Sequence, residues 1–293
     1  MIEDIRRAIR LVKFDRNDLD KYADRIGAGR SAVEKDFLIS SFFLLLAYDE
    51  QFAQFRDRIV FRGGTCIKKA YYPGETRFSE DLDFTSLDSE ELDLFFEALK
   101  GQVGQDLGVT AITEVGEMYR NSRGLDLRLD YISVLGQPDH IMFNMSTSDT
   151  TMSPKRVRID VMPYFASFRP VVRAMNIREV LAEKIRALLQ RAKPRDVFDV
   201  WFLVSKKGMR VDSKMVREKL ARSYEAAPAK KKASAAFYSY RDVIGKMSEM
   251  TELAWKRELG GLLIKNSPSR GTIVADVSKI VRRVGDVNLA QAE

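Results

Sequence analysis

The chain has 293 residues, 45% hydrophobic and 31% charged, a composition that supports a folded core and excludes a disordered protein; its length favours two lobes. One cysteine, Cys66, and one histidine, His140, exclude an internal disulfide and a zinc site built from Cys or His, and argue against thiol-protease and histidine acid–base schemes. The net charge of +7 is unevenly divided, with 30 Lys+Arg against 15 Asp+Glu in residues 151–293 and 19 against 27 in residues 1–150.

Residues 2–28 mix charged and apolar side chains at helical spacing until Gly27 and Gly29 break the pattern. No uninterrupted apolar run opens the chain, so no secretory signal is expected and the protein is placed in the cytoplasm. Ser31, with Glu34 three residues on, reads as a capping box for a helix reaching Tyr48. Its apolar part, residues 37–48, lies between Asp36 and Asp49 and is too short for the ~20 residues of a membrane span; it is a buried helix. Residues 58–61 form a strand signal that runs into Gly63-Gly64, and Thr65 opens a helix closed by Pro73-Gly74. A strand at 81–84, a helix at 88–100 and strands near 109–113, 125–131, 141–144 and 157–162 follow. After Pro170 the spacing becomes helical, with a long helix from Ile177 and a second one started by Pro194. The Ala/Lys-rich stretch 226–236 reads as a basic turn. We therefore expect an α+β domain over residues 1–175 and a helical domain over 176–293.

The chemistry concentrates in two segments. A strand, Gly63, Gly64, a hydroxyl residue and a helix start make a nest of backbone N–H groups suited to an anion, although a tight turn has the same sequence. In a strand, residues i and i+2 share a face, so Asp81 and Asp83 project together while Leu82 and Phe84 enter the core. Two carboxylates so close repel unless a cation lies between them, and magnesium is held by one or two carboxylates plus substrate phosphates. In residues 156–162, Val157, Ile159 and Val161 face one way and Arg158 and Asp160 the other, so Asp160 is either a third ligand or a solvated edge residue.

A Gly-Gly-Thr turn, an Asp-x-Asp pair and a later Asp, in this order, resemble the DNA polymerase beta-like nucleotidyltransferase superfamily. The chain is more closely similar to the AbiEii/AbiGii toxin family. The similarity is carried by Glu34-Lys35-Asp36, by Phe61 to Thr65 with Lys69-Ala70-Tyr71, and by Arg77 to Asp83. Glu183-Lys184, Arg195-Asp196 and Asp199 extend it across roughly residues 31–205. Fifteen residues separate Thr65 from Asp81, more than the compact superfamily spacing, and Thr65 stands where serine is usual.

The resemblance implies a nucleotidyltransferase-like mixed sheet flanked by helices, followed by a helical lobe. It implies transfer of a nucleoside monophosphate from an NTP to an acceptor hydroxyl, with two magnesium ions, or manganese. Asp81 and Asp83 would bridge both ions, and Asp160 would bind one and help deprotonate the acceptor. Gly63, Gly64 and Thr65 would hold the triphosphate, with Arg77 and Ser79 contacting phosphate or nucleotide. Lys184 would neutralise triphosphate charge. Asp196 either positions Lys184 or a substrate or simply pairs with Arg191 or Arg195. No role follows for Glu34-Lys35-Asp36 beyond packing through a partly buried ion pair. The family further implies a toxin with an antitoxin encoded nearby and a tRNA 3′ end as acceptor. Lys206, Lys207, Arg210, Lys214, Arg217, Lys219, Arg222 and Lys230 to Lys232 offer a basic surface for RNA. A protein or small-molecule acceptor, and a non-catalytic RNA-binding protein, are the alternatives; no membrane partner is expected.

Overall fold

The structure, a computed structural model, describes residues 2–86, 90–105, 112–121, 124–147, 153–225, 227 and 236–289. The chain divides into two compact units, one of Met1–Asn176 with Gly261–Lys265 and one of Ile177–Gly260 with Asn266–Glu293.

The first unit is built on a mixed seven-stranded sheet. Its strands are β1 (Ile59–Arg62), β2 (Asp81–Ser86), β3 (Ile112–Asn121), β4 (Gly124–Ile132), β5 (Pro138–Ser146), β6 (Lys155–Arg158) and β7 (Val171–Ala174), in spatial order β3-β4-β5-β2-β1-β7-β6. β2 runs antiparallel to β1 and parallel to β5. Helices α1 (Ile2–Leu11), α2 (Arg16–Ile26), α3 (Arg30–Tyr48), α4 (Gly63–Cys66, continued as a wider turn to Tyr71) and α5 (Glu90–Lys100) accompany it. As predicted, the apolar run lies in a core helix: α3 is buried continuously from Ala32 to Leu46. Phe42 and Phe43 meet Phe61, Phe84 and Phe143 from β1, β2 and β5, so one face of the central strands is aromatic core.

The helical spacing of residues 2–28 is realised as two helices, because Asp15 caps α2 in a reciprocal box with Asp18. One local expectation is corrected. Ser31 and Glu34 do not cap α3, which begins at Arg30 after Gly29; their side chains are spent on tertiary contacts with Asp139 and Val134. The helix read from residue 88 is described from Glu90 and the strand read from residue 109 from Ile112, so the starts of both lie outside the described residues.

The second unit contains α6 (Ile177–Arg191), α7 (Pro194–Trp201, continued to Lys206), α8 (Ser213–Glu225), α9 (Tyr240–Glu249), α10 (Glu252–Leu259), α11 (Arg270–Val284) and a two-stranded ladder, β8 (Phe237–Tyr238) with β9 (Val287–Asn288). Pro194 occupies the first turn of α7, where its missing N–H costs nothing. Ile185, Leu188, Val197, Phe198, Val277 and Val281 are buried in its core. No helix among the described residues is long and apolar enough to cross a membrane.

Candidate active site

On the sheet face opposite the aromatic core, the register aligns one row of side chains across four strands. Arg62 pairs with Asp83, Asp83 with Asn144, and Asn144 with Asp126. The Asn144 amide nitrogen donates to Asp83 Oδ1 at 3.2 Å. Asp81, two residues from Asp83 on the same half-buried side of β2, begins the strand, while Leu82 and Phe84 are fully buried on the other.

The Gly-Gly-Thr turn is locked to this strand. Gly63 has φ +79°, and a Cβ there would lie 2.0 Å from Asp83 Oδ2, so only glycine brings the turn this close to the carboxylate. Gly64 follows in the first turn of α4. The buried Thr65 hydroxyl donates to the Asp81 carbonyl. In this structure its proton ties the helix start to β2. Arg77 and Ser79 are buried in the loop entering β2, and the Arg77 guanidinium donates to the Phe78 carbonyl at 2.9 Å.

Asp160 does not join the pair. It follows β6 at the far edge of the sheet, with β7 and β1 between it and β2. Arg158 pairs with Val171 whereas Ala174 pairs with Phe61, so the chain leaves β6 toward the end of the sheet away from Asp83. Strand spacing and rise put it on the order of 15 Å or more away. The reason is sheet order and register: β6 ends at Arg158, and Asp160 lies in the segment after it, its amide bonded to the Lys69 carbonyl. It instead lines a cavity of about 370 Å³ with Lys69, Arg158, Phe168 and Arg169.

A further carboxylate on the face of Asp83 is that of Asp126, one strand beyond Asn144. Burial, then the Asp83 charge, raises the Asp126 carboxyl above its ordinary value, while Arg62 opposes the rise. The signal for it was present in the sequence, since 125–131 alternates Leu, Asp, Leu, Arg, Leu, Asp, Tyr, but only the register says which acidic residue falls in the row of Asp83, one strand beyond Asn144.

Among the described residues no three His, Cys, Asp or Glu side chains converge as a metal site. The Asp81 and Asp83 carboxylates nevertheless form an all-oxygen donor pair, the kind a hard divalent cation accepts when substrate phosphates complete its shell, while the Asn144 amide nitrogen holds Asp83 in place.

A second polar cluster lies within the helical unit. Lys184 Nζ is 2.7 Å from Asp199 Oδ2 and 3.9 Å from Asp196 Oδ1. Asp196 accepts two bonds from the Arg191 guanidinium, at 2.7 and 3.1 Å, so its principal partner is Arg191 and that of Lys184 is Asp199. Lys219 is removed from the candidate RNA surface, because it is buried and paired with Glu179 and Glu183. Lys206, Arg210, Lys214, Arg217 and Arg222 are exposed; Lys230 to Lys232 lie outside the described residues.

The profile of a family described as "Nucleotidyl transferase AbiEii toxin, Type IV TA system" matches residues 45–276. The chain belongs to the AbiEii nucleotidyltransferase toxin family. It is therefore an enzyme of the nucleotidyltransferase class. Among solved structures, the AbiEii chain is similar to MenT4, a nucleotidyltransferase toxin from Mycobacterium tuberculosis H37Rv, with 20% identity, TM-score 0.66 and coverage of 91% of this chain and 88% of that one. It is also similar to JHP933 from Helicobacter pylori, with 14% identity, TM-score 0.56 and coverage of 88% and 93%. These likenesses show the shared α+β fold. Among curated proteins no relative matches.

Proposed function

We propose that this AbiEii protein transfers a nucleoside monophosphate from an NTP to the 3′ hydroxyl of tRNA, releasing pyrophosphate, as the toxin of a pair whose antitoxin is encoded nearby. The observation that carries the reading is the Asp81/Asp83 pair held against the Gly63 turn, because it joins an oxygen donor set to a backbone anion nest. Asp81 and Asp83 would hold magnesium or manganese, with Asn144 orienting Asp83; the ion, when bound, neutralises triphosphate charge and stabilises the oxygens of an in-line displacement. Gly63 and Gly64 present backbone N–H groups to the phosphates, and Arg62, on the same face, adds a cation beside them. Asp126 takes the role expected of Asp160: its elevated proton affinity suits acceptance of the proton from the acceptor hydroxyl. Lys184, through its family resemblance, is a further functional candidate, and Asp196 supports the helix pair that carries it.

The exposed cations of residues 206–222 support a polyanionic acceptor. The test is incorporation from each of four labelled NTPs, with magnesium, into total tRNA, other RNA and total protein. Labelled tRNA is expected; label confined to protein would replace the RNA acceptor with another.

A further inference from the structure

We propose that Glu34-Lys35-Asp36 is a positioning triad for the active site, in which Lys35 aligns the strands that bear Asp81, Asp83 and Asn144. This rests on the reading of that face as the nucleotidyl-transfer site. Three consecutive helical residues point in three directions, yet all three are buried, with 2%, 7% and 4% exposure. Buried charges need partners, and here each finds a different element of the site. Glu34 accepts from the Val134 amide at 2.7 Å, holding the loop between β4 and β5. Asp36 accepts from Lys69 at 2.8 Å and lies 3.8 Å from Lys68, holding the helix that follows the Gly-Gly-Thr turn; Ser40 takes a second Lys69 proton at 3.0 Å. Lys35 stands between two carboxylates, 3.0 Å from Asp139 and 3.6 Å from Glu80.

Glu80 immediately precedes Asp81, and Asp139 lies at the start of β5. β2 and β5 run parallel, with Asp81 opposite Met142 and Asp83 opposite Asn144. One ammonium thus joins the leading ends of two neighbouring strands, immediately before Asp81 in β2 and five residues before Asn144 in β5. Without it, two like charges would sit at the heads of adjacent strands and push them apart.

Lys35→Met and Lys35→Arg test the triad in the full chain. For Lys35→Met we expect at least a tenfold loss of kcat for nucleotide incorporation, KM for the NTP within twofold, and faster amide exchange over residues 81–84 and 139–144; Lys35→Arg restores most of the rate. Asp139→Asn, a milder cut at the same clamp, is expected to move exchange and kcat in the same direction if Lys35→Met does not fold. Unchanged exchange in both strands, or a kcat loss matched by the unfolded fraction alone, overturns the proposal. Because exchange needs no turnover, it decides the clamp even if the wild-type chain incorporates no nucleotide, a result that would count against the functional reading instead.

Discussion

Asn144 donates to Asp83 across the parallel β2–β5 ladder, and Asp126 occupies the next position in the same row. The central strand therefore meets an amide first and a carboxylate second, an arrangement in which charge repulsion at Asp83 is softened by a neutral neighbour. Asp126→Asn should lower the incorporation rate by roughly a hundredfold to ten-thousandfold, in the range of general-base contributions, while Asp160→Asn leaves it within about twofold. Rates measured side by side on the same tRNA preparation check this, and equal losses in both variants would return Asp160 to the site.

Asp81→Asn and Asp83→Asn should each reduce incorporation by more than about a thousandfold, since charge stabilisation at the triphosphate is the largest catalytic contribution expected here. Both side chains are half-buried, and neither is needed for the aromatic core, so the thermal midpoint should stay within a few degrees. Labelled-NTP assays with parallel thermal melts decide it; a fully active variant sinks the assignment.

Gly63→Ala inserts a methyl group 2.0 Å from the Asp83 carboxylate at a positive φ. The Asp83 side chain must move or the turn must open, so we expect a loss of about 1–3 kcal/mol in stability together with a severe loss of activity. Urea denaturation read beside the incorporation rate separates the two effects.

Glu183 links charge to pH. Burial by itself would raise its carboxyl, but Arg186 and Lys219 outweigh burial and hold it below the ordinary value. A depressed folded-state pKa contributes stability above the unfolded value, near 4.5, that is lost as pH falls through the folded value. The stability gap between wild type and Glu183→Gln, followed by denaturant melts from pH 7 to pH 3, should therefore narrow toward acid. A constant gap would show that Glu183 acts through packing alone.

Charge reversal at Arg210, Lys214 and Arg217 should weaken tRNA binding and flatten the log K against log salt slope by roughly one per lost phosphate contact. Lys219→Met should instead destabilise the helical unit by about 3–5 kcal/mol, because it removes the buried ammonium that Glu179 and Glu183 share. Filter binding at several salt concentrations, with melts of each variant, tests the contrast.

The sequence by itself determined the class of the protein. Local periodicity is a short-range property, so the buried apolar helix, the strand carrying Asp81 and Asp83, the glycine turn and the Pro194 helix start were all legible from neighbouring residues. The segment order was enough to carry the family resemblance. Tertiary structure alone decided which distant residues share a place. Asp126 and Asp160 both alternate with apolar neighbours in the sequence, and only sheet order and register put one in the row of Asp83, one strand beyond Asn144, and the other at the far edge. Ser31 and Glu34 match a capping box by spacing but bond to Asp139 and Val134, more than 90 residues away, which local spacing cannot encode. Lys219 lies within a run of basic residues in the sequence, yet the packing of α6 against α8 buries it between two carboxylates, because burial is set by the partner helix and not by the neighbours in the chain.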